Sequence, residues 1–100
     1  MNYELAKQLR DAGFPKEIVL SNNPSSHCEY PCLTELIAAC PTNMGKATFV
    51  LGSANQGKEW VACYFDFAMN RGAEFNESAS TPVEAVARLW LAIHAAGVLA

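Results

Sequence analysis

The chain has 100 residues, of which 51% are hydrophobic and 17% are charged, and its formal net charge is −3. This composition is too apolar for intrinsic disorder and the length suits one domain, so residues 1–100 are expected to fold as a single unit. No apolar run approaches the length of about 18 residues that a membrane-spanning helix needs, and the acidic balance gives no electrostatic reason for a nucleic-acid partner.

The first predicted element is a helix over residues 3–12. Leu5 and Leu9 recur at the spacing of a buried helical stripe, and Gly13 can adopt the left-handed conformation that ends a helix. A long irregular segment, residues 16–31, follows. Loops of that length in small domains usually carry contacts that serve function rather than folding.

A second, short helix is predicted over residues 34–40, with Thr34 as its N-cap and Pro41 as its terminator. Its expected buried side consists of Leu33, Leu36, Ile37 and Cys40. Two strands follow, over residues 47–52 and 59–67, and the glycine-containing loop between them has hairpin length.

The strand over residues 59–67 is apolar on both faces. One face consists of Val61, Cys63, Phe65 and Phe67. We expect this face to pack on the helices, whereas the opposite face, with Trp60 and Tyr64, is either covered by the N-terminal segments or exposed. A third, edge strand is predicted over residues 73–77.

The last helix has the strongest sequence signals. Thr81 is its N-cap, Pro82 occupies its first position, and Glu84 completes a capping box. The predicted core face comprises Val86, Leu89, Trp90 and Ile93. Because Leu91 makes the opposite face apolar as well, the helix is either deeply buried or contacts a partner. These elements predict an α+β domain with N-terminal helices, a small antiparallel sheet of two to three strands, and a long C-terminal helix packed on the sheet.

The cysteines raise the question of a metal site. Together with His27, three of them, Cys28, Cys32 and Cys40, are weak candidates for the four nitrogen or sulfur ligands that zinc takes. Their spacing lacks the tight pair of a zinc knuckle, so we interpret them as reduced thiols and expect no metal and no cofactor. The first residues lack the apolar core of a signal peptide, which predicts a cytosolic location.

No catalytic constellation is recognisable in the sequence. Phosphate-binding glycine loops are absent, and Asp66 has no second carboxylate to form an acid–base pair. A nucleophilic cysteine needs a base. Because His27 lies next to Cys28 in the sequence, an enzyme that uses these two residues is the alternative function. We interpret His94 as a surface or half-buried histidine. The sequence therefore favours a protein that is not an enzyme.

The apolar excess predicts a surface that another chain covers. We place this candidate binding surface near Trp60, Tyr64 or Leu91. Its partner is expected to be another protein or a second copy of the chain. Base stacking on these aromatic residues is disfavoured because no basic patch accompanies them.

The segment from Ser80 to Leu89 (STPVEAVARL) follows two predicted strands and a glycine-containing turn. It resembles the end of HicB-like antitoxin domains, which set an antiparallel sheet against a helix introduced by a Thr-Pro-x-Glu-Ala motif. The resemblance covers about a third of the chain. It implies the same strand–helix architecture and, as an alternative function, a regulatory module.

A broader resemblance covers most of the chain. The segments that carry it are residues 3–9, 12–15 and 33–40, the strand around Trp60, and residues 81–92. They look like small uncharacterised proteins encoded by bacteriophages and prophages. This resemblance implies a bacterial cytoplasm and an accessory protein that binds a host protein, including inhibitors of host defence such as CRISPR effectors. The loop over residues 21–31 departs from that family pattern.

Overall fold

The computed structural model describes residues 3–20 and 30–97, apart from the side chains of Met44, Arg71, Ala73 and Glu74. This part of the chain contains three α-helices and four strands. Two helices come first, the four strands then form a sheet, and the last helix follows. In chain order they are α1 (Tyr3–Asp11), α2 (Leu33–Ala39), β1 (Asn43–Met44), β2 (Ala47–Ala54), β3 (Glu59–Asp66), β4 (Arg71–Ala79) and α3 (Pro82–Ala95). None of the helices in this part of the chain is both long and apolar enough to cross a membrane.

The sheet is antiparallel throughout, in the order β1-β2-β3-β4. Its three long strands are the predicted ones, and α3 packs on β3 and β4, so the α+β prediction is confirmed. The edge strand β4 has nine residues rather than the five predicted, and β1 adds a further two-residue strand beside Ala47 and Thr48. A register shift between Cys63 and Phe65 marks an irregularity in the β3–β4 pairing.

The last helix is the centre of the core. Besides β3 and β4, α3 contacts both α1 and α2. Its fully buried residues are Ala85, Val86, Ala87, Leu89 and Ile93. Trp90 is only 3% exposed, and Leu91 packs partly buried against the core. The sequence left two interpretations of this helix, which is apolar on nearly every side: deep burial or contact with a partner. The structure shows deep burial of α3.

The Thr81 N-cap and Pro82 at the first position of α3 are as predicted, whereas the Glu84 side chain, predicted to complete a capping box, forms no hydrogen bond with the Thr81 backbone N–H in the described part of the chain. The Thr81 side-chain oxygen Oγ1 accepts the Glu84 backbone N–H at 3.2 Å, and Pro82 begins the helix. A helix start needs such partners because its first backbone N–H groups have none within the helix. The start of α3 is thereby fixed where β4 ends, and this sets which of its side chains reach the sheet.

The prediction of which strand face packs on the helices is wrong. Tyr64 and Ala62 are completely buried, and Trp60 packs against the same core. The Tyr64 hydroxyl donates a hydrogen bond to the Pro41 backbone oxygen at 2.8 Å, so its burial leaves no unpaired polar atom. The predicted inner face, which includes Val61, points away from the helices.

Helix α2 also departs from its prediction in two respects. Its N-cap is Cys32 instead of Thr34, so the helix begins two residues earlier than a Thr34 cap would place it. Leu36 and Cys40 are buried as expected, whereas Ile37 is 37% exposed.

The end of α1 is a glycine cap that joins two parts of the core. Gly13 has φ +86°, and its N–H donates to the Arg10 oxygen while the Phe14 N–H donates to the Leu9 oxygen. These two bonds form a Schellman motif. The buried Phe14 ring then packs edge-on against Trp90, with 5.1 Å between ring centroids, and so holds α1 on α3.

We predict that Gly13→Ala lowers the free energy of unfolding by about 1 kcal/mol, because a Cβ is strained at this left-handed φ. No atom lies within 4 Å of the added Cβ, so the loss is a backbone effect. Urea denaturation measures it. Gly52→Ala is the matched control, since Gly52 has an ordinary strand φ and equal space, and it should leave the stability unchanged or raise it.

Candidate functional site

The candidate site is the side of the sheet that the described helices leave uncovered. The register places Val50 opposite Cys63, Gly52 opposite Val61, and Phe65 opposite Thr48, with their side chains on the same side. We call the apolar side chains of Val50, Val61, Cys63 and Phe65 the outer face. All four are partly exposed, and none of them packs against the buried core. The outer face is therefore an apolar strip on the two central strands.

The turn between β3 and β4 extends this strip. Phe67 is 69% exposed and Met69 is 62% exposed, and we call these two residues the hairpin tip. The Phe67 ring packs edge-on against Phe65 with 4.8 Å between centroids, so outer face and hairpin tip form one continuous apolar surface. Exposed side chains of this size in a row are typical of interaction sites.

The hairpin tip is held in place by its own turn. The Asp66 side-chain oxygen Oδ1 accepts backbone N–H groups from Ala68 and Met69, each at 3.1 Å. Asn70 takes a left-handed φ of +51°, which asparagine tolerates better than most residues. Asp66 is thus a turn-forming residue, and the exposure of Phe67 follows from a defined local geometry.

The three residues of the predicted binding surface are not brought together at the surface. Tyr64 is completely buried, and Trp60 and Leu91 are partly buried against the core. Phe65 and Phe67, which the prediction assigned to the interior, are the residues at the surface. One sequence signal could have indicated this: Ala62, a small residue in the middle of a strand, leaves room for a helix on its own side.

The described cysteines lie in three different environments. Cys32 is exposed, Cys40 is buried, and Cys63 is partly buried on the outer face; all three are free thiols. Burial raises the pKa of the Cys40 thiol to about 11, and burial also raises the pKa of Cys63. Cys40 therefore packs as a small apolar side chain.

No metal site is found among residues 3–20 and 30–97, since they contain no group of three or more histidine, cysteine or carboxylate side chains that could hold an ion. His27 and Cys28 lie outside the described residues, so the structure does not bear on the predicted pairing of these two. His94 stacks on Trp90 with 4.9 Å between ring centroids and an interplanar angle of 11°. This contact makes it part of the aromatic packing around α3.

A shallow groove lies between α2 and the start of β2. Its lining comprises Ile37, Cys40, Pro41, Thr42, Thr48 and Phe49. The thiol of Cys40 is buried and has a raised pKa, and none of the six lining residues is a histidine, lysine or carboxylate. This groove therefore holds no acid–base or nucleophilic arrangement.

Glu35 joins the N-terminal part of the chain to α2. Its oxygen Oε1 accepts the Cys32 backbone N–H at 2.9 Å, and its carboxylate forms an ion pair with the Lys16 ammonium. The Cys32 hydrogen bond and the adjacent Lys16 lower the pKa of Glu35 to about 2. The ion pair needs the charged carboxylate, and the Cys32 hydrogen bond is stronger to a carboxylate than to a neutral carboxyl group, so both interactions stabilise the ionised form of Glu35.

Stability should consequently fall in acid through Glu35. Its folded pKa of about 2 lies below the ordinary value of 4.5, so its contribution is complete above pH 4.5 and is lost as the pH falls towards 2. We expect Glu35→Gln to be less stable than wild type at neutral pH, with the difference shrinking over this range. Urea denaturation of both proteins as a function of pH measures it. A constant difference at every pH would contradict the assignment.

Thiol reactivity should rank the described cysteines. In a Cys28→Ser background at about pH 8, we predict fast modification of Cys32, slower modification of Cys63, and modification of Cys40 only on unfolding, since the thiolate is the reactive form. Mass spectrometry after maleimide labelling identifies the modified residues. In urea all three should react alike, and fast native labelling of Cys40 would be inconsistent with its burial.

In comparisons with known proteins, no family model, no curated protein and no solved structure matches this chain. The resemblances to phage-encoded proteins and to HicB-like domains stay predictions. A proposal of function therefore rests on the geometry of the sheet and its hairpin.

Proposed function

We propose that this chain is a non-enzymatic binding protein that acts by covering a surface of another protein. The single observation that carries the proposal is the continuous apolar surface formed by the outer face and the hairpin tip, which no described element of the chain covers. The groove between α2 and the start of β2 also supports the proposal, because no histidine, lysine or carboxylate lies in its lining to activate a nucleophile.

The energetics favour protein contact at the hairpin tip. Burying a phenylalanine or methionine side chain completely contributes about 1.5–3 kcal/mol, and aromatic side chains in buried pockets dominate most interfaces. Phe67 and Met69 are more than half exposed and so retain most of this free energy for binding. The Asp66 hydrogen bonds fix the turn beforehand, which lowers the conformational entropy lost on association.

We further propose a phage or prophage accessory role in the cytoplasm of a bacterial host, with a host defence protein, such as a CRISPR effector, as the partner. The support is the phage-like sequence pattern over most of the chain, together with its net charge of −3. In this proposal the protein works by occupancy: it blocks a surface that its partner needs, without changing a covalent bond.

The test is affinity capture from bacterial lysate with matched variants. We predict that Phe67→Ser combined with Met69→Ser loses the captured host protein, with an affinity at least about tenfold weaker, because two anchors are removed. Ile37→Ser is the control, since Ile37 is also an exposed large apolar side chain but lies on α2. Mass spectrometry identifies the retained proteins.

The control variant should capture the same protein as wild type, and all three proteins should unfold at the same urea concentration. Equal capture by wild type and the double variant would place the binding surface elsewhere. No retained partner at about micromolar bait would count against the proposed function itself.

A further inference from the structure

We infer that the hairpin tip is a redox switch: a hydroperoxide converts the Met69 thioether to a sulfoxide, and this oxidation makes the binding surface polar and weakens its hold on the bound protein. The inference rests on the proposed function, because it names a means of regulating the same surface. Three features of the described residues support it: the exposure of Met69, its separation from the core, and its place in the same turn as Phe67.

The Met69 side chain is open to small oxidants in solution. The chain contains three methionines, and Met69 is the one whose side chain the structure describes. The residue is 62% exposed, and its backbone N–H is bonded to Asp66, so the exposed part is mainly the side chain that carries the sulfur. Methionine is oxidised by direct contact of its sulfur with the oxidant, so accessibility decides whether the reaction occurs.

The reaction balances with a hydroperoxide as the only oxidant. A lone pair of the Met69 sulfur attacks the terminal peroxide oxygen, the sulfur–oxygen bond forms, and the oxygen–oxygen bond breaks. The proton of the transferred oxygen moves to the leaving oxygen, so hydrogen peroxide yields water. Sulfur loses two electrons, and the peroxide gains them. The reverse step takes two electrons and two protons from a dithiol, releases water and leaves a disulfide, and methionine sulfoxide reductases catalyse it.

Oxidation of Met69 should leave the fold intact. Its side chain belongs neither to the buried core nor to the partly buried residues that pack against the core. The turn is held by Asp66 Oδ1, which accepts the backbone N–H groups of Ala68 and Met69, and the sulfur takes no part in either bond. A sulfoxide therefore changes the chemistry of the hairpin tip and keeps its position, whereas oxidation of a core methionine disrupts packing.

A sulfoxide at this position opposes burial in an apolar contact. The thioether contributes to binding by leaving water, whereas the sulfoxide oxygen is a hydrogen-bond acceptor that needs a partner when it is buried. A surface that fits the apolar tip offers it none. Phe67, which hydrogen peroxide does not oxidise, keeps its exposed ring as the second anchor. We therefore expect the oxidised protein to bind about fivefold more weakly, which is a partial and reversible loss.

The first test measures whether the sulfur is accessible. The full chain is treated with hydrogen peroxide, and mass spectrometry of its peptides follows the oxygen gained at Met69. We expect the rate in the folded chain to lie within about threefold of the rate in urea, since the side chain is already exposed. A native rate more than about tenfold slower would mean that the sulfur is enclosed and would overturn the inference.

The folded state of the oxidised protein is measured by its urea midpoint. This midpoint should equal that of untreated protein, because the Met69 side chain is not packed in the core. A lowered midpoint that appears in wild type and not in Met69→Leu would show that the thioether supports the fold. The proposed switch would then be wrong, since weaker binding would follow from unfolding.

The second test measures the polarity of the hairpin tip with an immobilised phenyl ligand as the probe. Oxidised wild type should elute earlier from a phenyl column than untreated protein, and a methionine sulfoxide reductase with dithiothreitol should restore its retention. Met69→Leu is the matched control, because leucine is apolar and has no sulfur. All samples first receive dithiothreitol alone, which reduces sulfenic acids and disulfides of the cysteines. Equal shifts in wild type and Met69→Leu would contradict the inference.

The last measurement separates the inference from the proposed function. Capture of the host protein is compared before and after peroxide, each variant against its own untreated sample. A loss that is present in wild type, absent in Met69→Leu and reversed by the reductase supports the switch. Unchanged capture by fully oxidised wild type refutes the switch and leaves the proposed function standing. No capture by untreated wild type counts against the proposed function, and the first two tests then decide whether oxidation makes the tip polar.

Discussion

Burial of α3 against β3 and β4 is the interaction on which the rest of the structure depends. The other helices reach the core largely through α3, and the Phe14–Trp90 ring contact holds the end of α1 there. Ala62, fully buried on the strand beneath, leaves space for this helix to approach the sheet. Because one side of the sheet is committed to α3, the apolar residues of the other side are left uncovered by the described helices.

The elements of the fold were predictable from sequence because residues with known capping preferences stand at their ends. Thr81 and Pro82 begin α3 as capping physics requires, and Gly13 ends α1 with the expected left-handed φ. The cap of α2 was not predictable from residue type, since cysteine is an unusual N-cap. What satisfies the Cys32 N–H is the carboxylate of Glu35, and that residue is held by Lys16 from the preceding segment.

The candidate site was predicted only as an apolar excess near Trp60, Tyr64 or Leu91, and the structure places these three residues in or against the core. Alternation with a period of two divides a strand into two sets of side chains but does not say which set is buried. For β3 the choice depends on partners distant in sequence: the Tyr64 hydroxyl needs the Pro41 oxygen, and α3 needs the space at Ala62. Phe65 and Phe67 offered no such partner, and hydrophobicity alone could not distinguish them from core residues.

Gly52 gives the outer face a capacity for change that the core lacks. A Cβ introduced there would meet no atom of the described residues within 4 Å, in a backbone conformation that every residue adopts. It would project beside Val61 and change the shape of the outer face, while the buried residues would keep their packing. Substitutions could therefore accumulate at this position without first overcoming a loss of stability, so the outer face can change its shape independently of the buried core.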